Sequence, residues 1–229
     1  MIPTAEQLDE LFRAGAMERL GMGSRRACYA IPGTGLCVKC YRSEEEIALG
    51  KYAGTEAFAP LRASVVREIR HNRFSDRGNT SCREWRYYQT LKAHLPPALM
   101  AAFPATLDRL IVPSRGWCII EDIVANADGT PARAFHLALA ATPENARPRL
   151  LEQLETLEKG LIRYAVHFYD PPNILVQRCA DGGTRLRITD FEPTSHTFVS
   201  LDNLSPVFVR FKLHHRFAHY HAMFGITLP

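Results

Sequence analysis

The sequence predicts an α+β protein of two lobes: a strand-rich lobe over residues 1–123 and a compact, mainly helical lobe over 124–229. The first lobe is predicted from two short apolar segments, 25–31 and 36–42, which flank a Pro-Gly-Thr-Gly turn and are typical of an antiparallel hairpin. The second lobe is predicted from apolar residues at helical spacing, above all in 149–164. A sheet in one part of the chain and helices in another indicate the α+β class.

Helical patterns also occur in the N-terminal lobe. Residues 4–20 are predicted to be helical because Leu8, Leu11, Phe12 and Met17 recur at helical spacing, until Gly21-Met22-Gly23 interrupts the pattern. Ser81 and Glu84 have the spacing of a capping box, which predicts a helix over about 82–94. The hinge strand 117–123 ends this lobe, and the remaining predicted elements are a strand at 107–112 and helical stretches near 44–52 and 61–70.

The C-terminal lobe is predicted to contain two helices and one small hairpin. Leucines form one apolar face of the helix 149–164, and a helix rich in Phe and His is expected over about 201–224. The hairpin consists of Ile174–Val176 and Leu186–Thr189, which are joined by a turn at Gly182-Gly183.

Composition limits the class of protein. Hydrophobic content of 46% and charged content of 23% in 229 residues are ordinary for a globular protein. The net charge of +4 comes from scattered basic residues without a reading motif, so no nucleic-acid partner is expected. No apolar run approaches the roughly 20 residues that span a bilayer, and no transmembrane segment is expected. The six cysteines lack disulfide spacing and no signal peptide is evident, which favours the cytoplasm.

Lys39 lies in the middle of the apolar strand LCVKCY. A buried charge needs a partner, and Glu84 on the following predicted helix is the natural candidate. A lysine on a strand paired with a helix glutamate orients the α- and β-phosphates of a nucleotide in kinases. The alternative is an edge strand from which Lys39 points to solvent.

Asn173 and Asp190 stand at the ends of the two strands of the predicted hairpin. Amide and carboxylate oxygens are the ligands that magnesium prefers, and an Asn and an Asp at paired strand ends hold magnesium on nucleotide phosphates in kinases. The alternative for Asp190 is a carboxylate that caps a turn.

Two further segments could contact a nucleotide. Gly21 and Gly23 precede the first predicted strand, where glycines let backbone N–H groups approach phosphate; a helix C-cap followed by a turn is an equal alternative. The strand WCIIEDI, Trp117–Ile123, would offer its backbone around Glu121–Ile123 to adenine, or is an ordinary buried strand.

Taken in order, the motifs GMGSRRACYAIP, LCVKCYR, SCREWRYYQTL, GWCIIEDIVANADGTP, DPPNILV and RITDFE resemble those of the YrbL family, the bacterial PhoP regulatory network proteins. The resemblance extends from about residue 20 to 220 and implies a divergent two-lobed protein-kinase-like fold that binds ATP or ADP with magnesium. It implies Lys39 as the phosphate-contacting lysine, Glu84 as its partner, and Asn173 and Asp190 as metal ligands.

The chain departs from ordinary kinases at three positions. Arg26 replaces a loop glycine, Glu192 replaces the glycine after Asp190-Phe191, and Phe168 stands where kinases place the catalytic Asp. Asp170 is two residues further on and could take the proton of an acceptor hydroxyl. Two functions therefore remain: an atypical phosphotransferase with Asp170 and Asp190 as catalytic residues, or a pseudokinase that acts as a nucleotide-dependent switch or scaffold. The acceptor would be a protein, a saccharide or a small molecule.

Overall fold

The computed structural model describes residues 2–23, 25–48, 59–168, 170–191 and 205–229. It shows a mixed α and β fold. The helices are α1 (Ala5–Arg13), α2 (Glu44–Ala48), α3 (Ala59–Asn72), α4 (Thr80–His94), α5 (Pro97–Met100), α6 (Phe135–Ala141), α7 (Arg147–Arg163) and α8 (Pro206–Phe224). The strands are β1 (Arg19–Met22), β2 (Arg26–Ile31), β3 (Leu36–Tyr41), β4 (Leu107–Val112), β5 (Gly116–Asp122), β6 (Arg133–Ala134), β7 (Ile174–Arg178) and β8 (Thr184–Ile188).

The chain forms two compact units. The first consists of Met1–Arg86 and Ala105–Ile123, and the second of Tyr87–Pro104 and Val124–Pro229. Strands β1 to β5 form an antiparallel sheet in the first unit, in the order β1-β2-β3-β5-β4. Strands β6 to β8 form a smaller antiparallel sheet in the second unit. Within the described residues, no helix is both long enough and apolar enough to cross a membrane.

The two faces of the larger sheet differ in chemistry. Successive residues of a strand point to opposite faces, so each strand contributes one set of side chains to each face. One face is apolar and packs with Leu8 of α1 in a core that includes Tyr29, Val38, Cys40 and Ile120. On the other face, cross-strand pairing places Cys28 opposite Lys39 and Cys37 opposite Glu121. The predicted β2–β3 hairpin is confirmed, and its register puts the charged residues on one side.

The first predicted helix is too long. Helix α1 ends at Arg13 rather than near residue 20, because Gly15 adopts a left-handed backbone conformation with φ of 63° directly after the cap residue Ala14. The chain then turns into β1, a strand that the helical spacing of Met17 concealed. Phe12 and Met17 pack against the apolar core of the sheet, which accounts for their periodicity without a continuous helix.

The capping box predicted from Ser81 and Glu84 is also wrong. Helix α4 begins at Thr80, and Asn79 Oδ1 accepts the Ser81 amide hydrogen bond at 2.8 Å. Glu84 cannot reach back to the cap because its carboxylate is bonded to Arg26 at 2.5 Å. The start of α4 is itself buried at Asn79, Thr80 and Ser81, and the buried Glu84 carboxylate is stabilised by the Arg26 cation rather than by a backbone N–H.

The second unit contains the predicted hairpin and long helix. Ile174 pairs with Ile188 at the base of the β7–β8 hairpin. The predicted apolar face of α7 is buried, and α7 packs against β8 and α8. Its buried leucines are Leu150, Leu154, Leu157 and Leu161. Strand β6 and helix α6 were not predicted, since two residues are too few to show alternation and FHLALAA is too short for a clear helical period. Residues 201–204 of the predicted tail helix lie outside the described residues.

Candidate functional site

Four charged side chains from four elements meet on the polar face of the larger sheet. They are Arg26 of β2, Lys39 of β3, Glu84 of α4 and Glu121 of β5. Lys39 Nζ is 2.6 Å from Glu121 Oε1 and 3.9 Å from Glu84 Oε1, while an Arg26 guanidinium nitrogen is 2.5 Å from Glu84 Oε2. Glu84 is 0% exposed and Lys39 is 9% exposed. We call these residues the ion cluster.

The ion cluster explains how the charged Lys39 can be buried within an apolar strand. A buried charge is tolerated when it is paired, and here two cations balance two carboxylates. Glu121 is the closer partner of Lys39, whereas Glu84, the predicted partner, is nearer to Arg26. Burial raises the pKa of Glu121, and Lys39 opposes that rise. Lys39 therefore does not point to solvent from an edge strand.

A thiol pair adjoins the ion cluster. A hydrogen bond from Cys37 lowers the pKa of Cys28, burial opposes this, and Lys39 lowers it further. The same contact and burial raise the pKa of Cys37. Cys40, by contrast, contacts Cys118 on the apolar face, so Cys37 and Cys40 lie on opposite faces of β3 as their odd spacing requires.

Gly21 and Gly23, the two glycines predicted to contact phosphate, shortly precede Arg26 of the ion cluster in the sequence. Gly21 is part of β1 and Gly23 begins the turn into β2, with the Gly23 N–H donating to Arg26 O at 2.8 Å. The buried Arg42 guanidinium donates to Gly23 O at 3.1 Å and ties the turn to β3. The helix C-cap alternative is wrong because α1 ends at Arg13. Phosphate contact by Gly21 and Gly23 stays a prediction.

Glu121 and Ile123 of the strand that was predicted to contact adenine already take part in contacts within the protein. The Glu121 side chain belongs to the ion cluster, and the Ile123 N–H donates to Gly35 O at 3.0 Å as the sheet continues. Adenine binding by the backbone around Glu121–Ile123 stays a prediction, and it would depend on groups other than the Ile123 amide.

In the second unit, Asp170, Asn173 and Asp190 lie together at the open end of the β7–β8 hairpin. Asn173 Nδ2 donates to Asp170 Oδ2 at 3.1 Å, and the Thr189 N–H donates to Asn173 O at 3.1 Å. Partial burial and then the Asp190 carboxylate raise the pKa of Asp170, while Arg216 of α8 and the Asn173 hydrogen bond oppose the rise. We call these three residues the carboxylate cluster.

Asp190 has an unusual backbone. Its φ of 56° is in the left-handed region, where, besides glycine, only Ala165 is found among the described residues. A non-glycine residue there costs on the order of 1 kcal/mol, and such strain concentrates at functional sites. Asp tolerates this conformation better than most residues. This left-handed conformation occurs just after β8 and directly before Phe191.

The carboxylate cluster has the donor set for magnesium. The Asn173 side-chain nitrogen is used by Asp170, so its oxygen is the atom left to bind a cation. Carboxylate and amide oxygens suit a hard cation that keeps several waters and binds through one or two protein carboxylates plus phosphate. Among the described residues, no group of three His, Cys, Asp or Glu side chains could hold a metal, so a cation here would need oxygens from its ligand.

Phe168 is buried at 1% exposure, as is Phe191, whose ring packs edge-on against Phe103 at 5.0 Å. Phe168 therefore belongs to the buried apolar core, and its correspondence with the catalytic Asp of kinases stays a prediction. Glu192 lies outside the described residues.

Two residues of the candidate site were missed in the sequence. Arg26 was read only as a missing glycine, although the turn-defined register of the β2–β3 hairpin places it on the face of Lys39. Arg216 of α8 lies near Asp170, and no local pattern indicates a contact between segments that are 46 residues apart.

No family model matches the chain, and no curated protein matches it. Among solved structures, the chain is similar to the PknI kinase domain of Mycobacterium tuberculosis, with 14% sequence identity and a TM-score of 0.37. The match covers 78% of this chain and 59% of that chain, so this chain spans less than two thirds of the kinase domain. A likeness of this extent carries no information on activity.

Proposed function

We propose that the protein binds ATP or ADP with magnesium and is an atypical ATP-dependent phosphotransferase of kinase-like fold, related to the YrbL family. The observation that carries the proposal is the carboxylate cluster, in which Asp170, Asn173 and a strained Asp190 gather hard oxygen ligands at one end of a hairpin. The ion cluster supports it, because it holds a buried lysine in place on the face of a sheet.

Each cluster supplies a different part of nucleotide recognition. Lys39 would contact the α- and β-phosphates, and its two carboxylate neighbours fix its position before the ligand arrives. Asn173 and Asp190 would hold magnesium, which neutralises phosphate charge when bound. The amides near Gly21 and Gly23 would contact phosphate, and the backbone around Glu121–Ile123 would contact adenine.

Asp170 is the proposed base. It is placed beside the proposed magnesium ligands, and the hydrogen bond from Asn173 orients its carboxylate toward one position. Phosphoryl transfer depends mainly on positioning and charge neutralisation, so a base that is displaced from position 168 can serve. The oxygen of the acceptor hydroxyl would attack the γ-phosphorus of ATP while the hydroxyl proton passes to Asp170. The bond to the β,γ-bridging oxygen would break, and ADP would leave.

Thermal-shift titration tests nucleotide binding. At ATP about a hundredfold above its dissociation constant, wild type should gain about 2.7 kcal/mol, or roughly 5–10 °C in Tm, and more with magnesium than without. Asp190→Asn should lose the magnesium-dependent part, while Lys39→Met should bind less tightly with or without metal. Each variant is compared with its own ligand-free Tm, and Asp108→Asn, which changes an exposed carboxylate of β4, is the matched control. A folded, nucleotide-free protein with no shift at millimolar ATP refutes the proposal.

A pseudokinase is the second candidate, and one observation favours it: Phe168 fills an apolar core where kinases place their base. Incubation with γ-labelled ATP and protein, saccharide or metabolite fractions separates the two. Transfer that is lost in Asp170→Asn supports the phosphotransferase. Transfer that survives this change removes Asp170 as the base, and tight nucleotide binding without any transfer supports the pseudokinase.

We also propose a cytoplasmic location. All six cysteines are free in the structure, and thiols persist in reducing compartments. The acceptor would be a protein, a saccharide or a small molecule, and no nucleic-acid partner is proposed.

A further inference from the structure

A second set of cationic residues surrounds a cavity that the proposed function does not use. The cavity lies within the second unit and has a volume of about 700 Å³. Its wall is formed by the segment around β6, by α6, by the start of α7 and by the β7–β8 hairpin. This volume falls within the range of about 300–1,000 Å³ that is typical of small-molecule sites.

The wall is strongly cationic. Arg133, Arg149 and Arg178 line the cavity, and no Asp or Glu does so among the described residues. Arg178 is paired with Asp128, which stands outside the wall, at 2.8 Å. Three guanidinium groups less one paired carboxylate leave a net charge of about two on this cavity. All three arginines are exposed, and the positive potential that they share favours an anionic ligand in the cavity.

The start of α7 adds to this field. Helix α7 is 17 residues long, has no acidic side chain in its first turn, and has no side-chain hydrogen bond to its N-cap residue Ala146. Ala146 and Arg149 both line the cavity. Glu144, in the short 3-10 helix before α7, does not line the cavity, so the positive end of the helix dipole adds to the positive potential of the wall.

The remaining wall leaves room for a ligand. Small residues predominate, including Ala138, Ala141 and Gly182, and nothing lies within 4 Å of the position that a Gly182 side chain would take. Gly182 has a φ of 76°, so the turn favours glycine and stays open. Thr130, Thr142 and Thr184 contribute polar atoms to the same wall.

We infer that this cavity binds a small organic phosphate, a phosphomonoester on a hydroxylated skeleton. A phosphomonoester carries about −1.5 to −2 charges at pH 7, which matches the net charge of the wall. Arginine forks bind phosphate through two parallel hydrogen bonds. The cavity is much larger than one phosphate group, and the threonines suit the hydroxyl groups of an attached skeleton. The wall of the cavity contains no residue of the ion cluster or of the carboxylate cluster.

Calorimetric titration with glucose 6-phosphate, glycerol 3-phosphate, inorganic phosphate, glucose and malonate tests the assignment. The esters should bind saturably and more tightly than inorganic phosphate, and glucose should not bind. Arg133→Gln and Arg149→Gln should each weaken ester binding about tenfold, the effect of losing one charge-assisted contact. Ala141→Trp should weaken ester binding by occupying part of the cavity without a change of charge.

Arg185→Gln is the matched control, because Arg185 is an exposed arginine of the same hairpin that does not line this cavity. It should bind the esters as wild type does, and so should Lys39→Met and Asp190→Asn, which report on the nucleotide proposal separately. Absence of saturable ester binding, a preference for malonate or inorganic phosphate, or equal losses in Arg185→Gln and Arg149→Gln would overturn the inference.

Discussion

At the scale of single residues, the ion cluster decides how Lys39 can be buried. Lys39 is held by Glu121 at 2.6 Å, and Arg26 compensates Glu84 at 2.5 Å. Breaking a buried pair leaves an unpaired charge, which costs about 3–5 kcal/mol, whereas replacing both partners with apolar residues is often neutral. The cluster thus constrains substitutions as pairs rather than one at a time.

Lys39→Met should lower the free energy of unfolding by about 3 kcal/mol, because Glu121 loses its closest cation. The double variant Lys39→Met/Glu121→Met should recover to within about 1 kcal/mol of wild type, since no unpaired charge remains between these positions. Urea denaturation of wild type, both single variants and the double variant gives the coupling. Additive losses would show that the two side chains are not an energetic pair.

The sequence predicts part of this site for a physical reason. A lysine inside an apolar strand must be paired, so its involvement in an ion pair follows from local pattern alone. The identity of the partner does not, because Glu121 reaches Lys39 only through the contact of β3 with β5, which skips β4 in the strand order. The hydrogen bond from Asn173 to Asp170 was not predicted, although the two residues are only three apart in the chain.

At the scale of elements, turn residues such as Gly and Pro predict the two hairpins correctly, whereas local signals predict the ends of helices less well. The Pro32–Gly35 and Gly182-Gly183 turns gave the β2–β3 and β7–β8 hairpins, and the leucine spacing of α7 gave its buried face. Errors occurred where a tertiary contact displaced a local one. Glu84 pairs with Arg26 instead of capping its helix. Met17 packs against the core of the sheet although it lies outside the helix.

The contact of α7 with α8 contains a titratable pair, Glu158 and His221, whose Oε2 and Nε2 atoms are 3.3 Å apart. Burial and then Glu155 raise the pKa of Glu158 to about 7, and burial lowers the pKa of His221. Because the folded state binds the Glu158 proton more tightly than the unfolded chain, this stabilisation is complete below about pH 4.3 and is lost as pH rises to about 7. His221 acts oppositely, and its neutral form is favoured on folding.

Between pH 5 and pH 8, the titration of Glu158 should lower the unfolding free energy of wild type by roughly 2 kcal/mol. Glu158→Gln has no such titration, so its unfolding free energy should not show this decrease. The His221 titration is present in both proteins and largely cancels in the difference. Denaturant titrations at four pH values measure it. Glu152→Gln, an exposed position of the same helix, should follow the wild-type profile, and parallel profiles for Glu158→Gln would refute the assignment.

At the scale of the whole molecule, the candidate site residues are divided between the two compact units. The first contains Lys39, Glu84 and Glu121, and the second contains Asp170, Asn173 and Asp190. The order of these motifs along the chain is readable from sequence, since each lies in a segment with its own local pattern. No local pattern indicates whether the two groups of residues bind the same ligand.

Hydrogen exchange can decide whether both clusters act on one nucleotide. With magnesium and ATP, exchange should slow in peptides that cover Lys39 of β3 and in peptides that cover Asn173 and Asp190, because each segment would lose local opening when its side chains bind. Asp190→Asn should lose most of the protection at the hairpin while β3 keeps part of it. Protection in β3 alone, unchanged by Asp190→Asn, would assign the nucleotide to the ion cluster and remove the carboxylate cluster from nucleotide binding. Protection at the hairpin alone would do the reverse and leave Lys39 a structural residue.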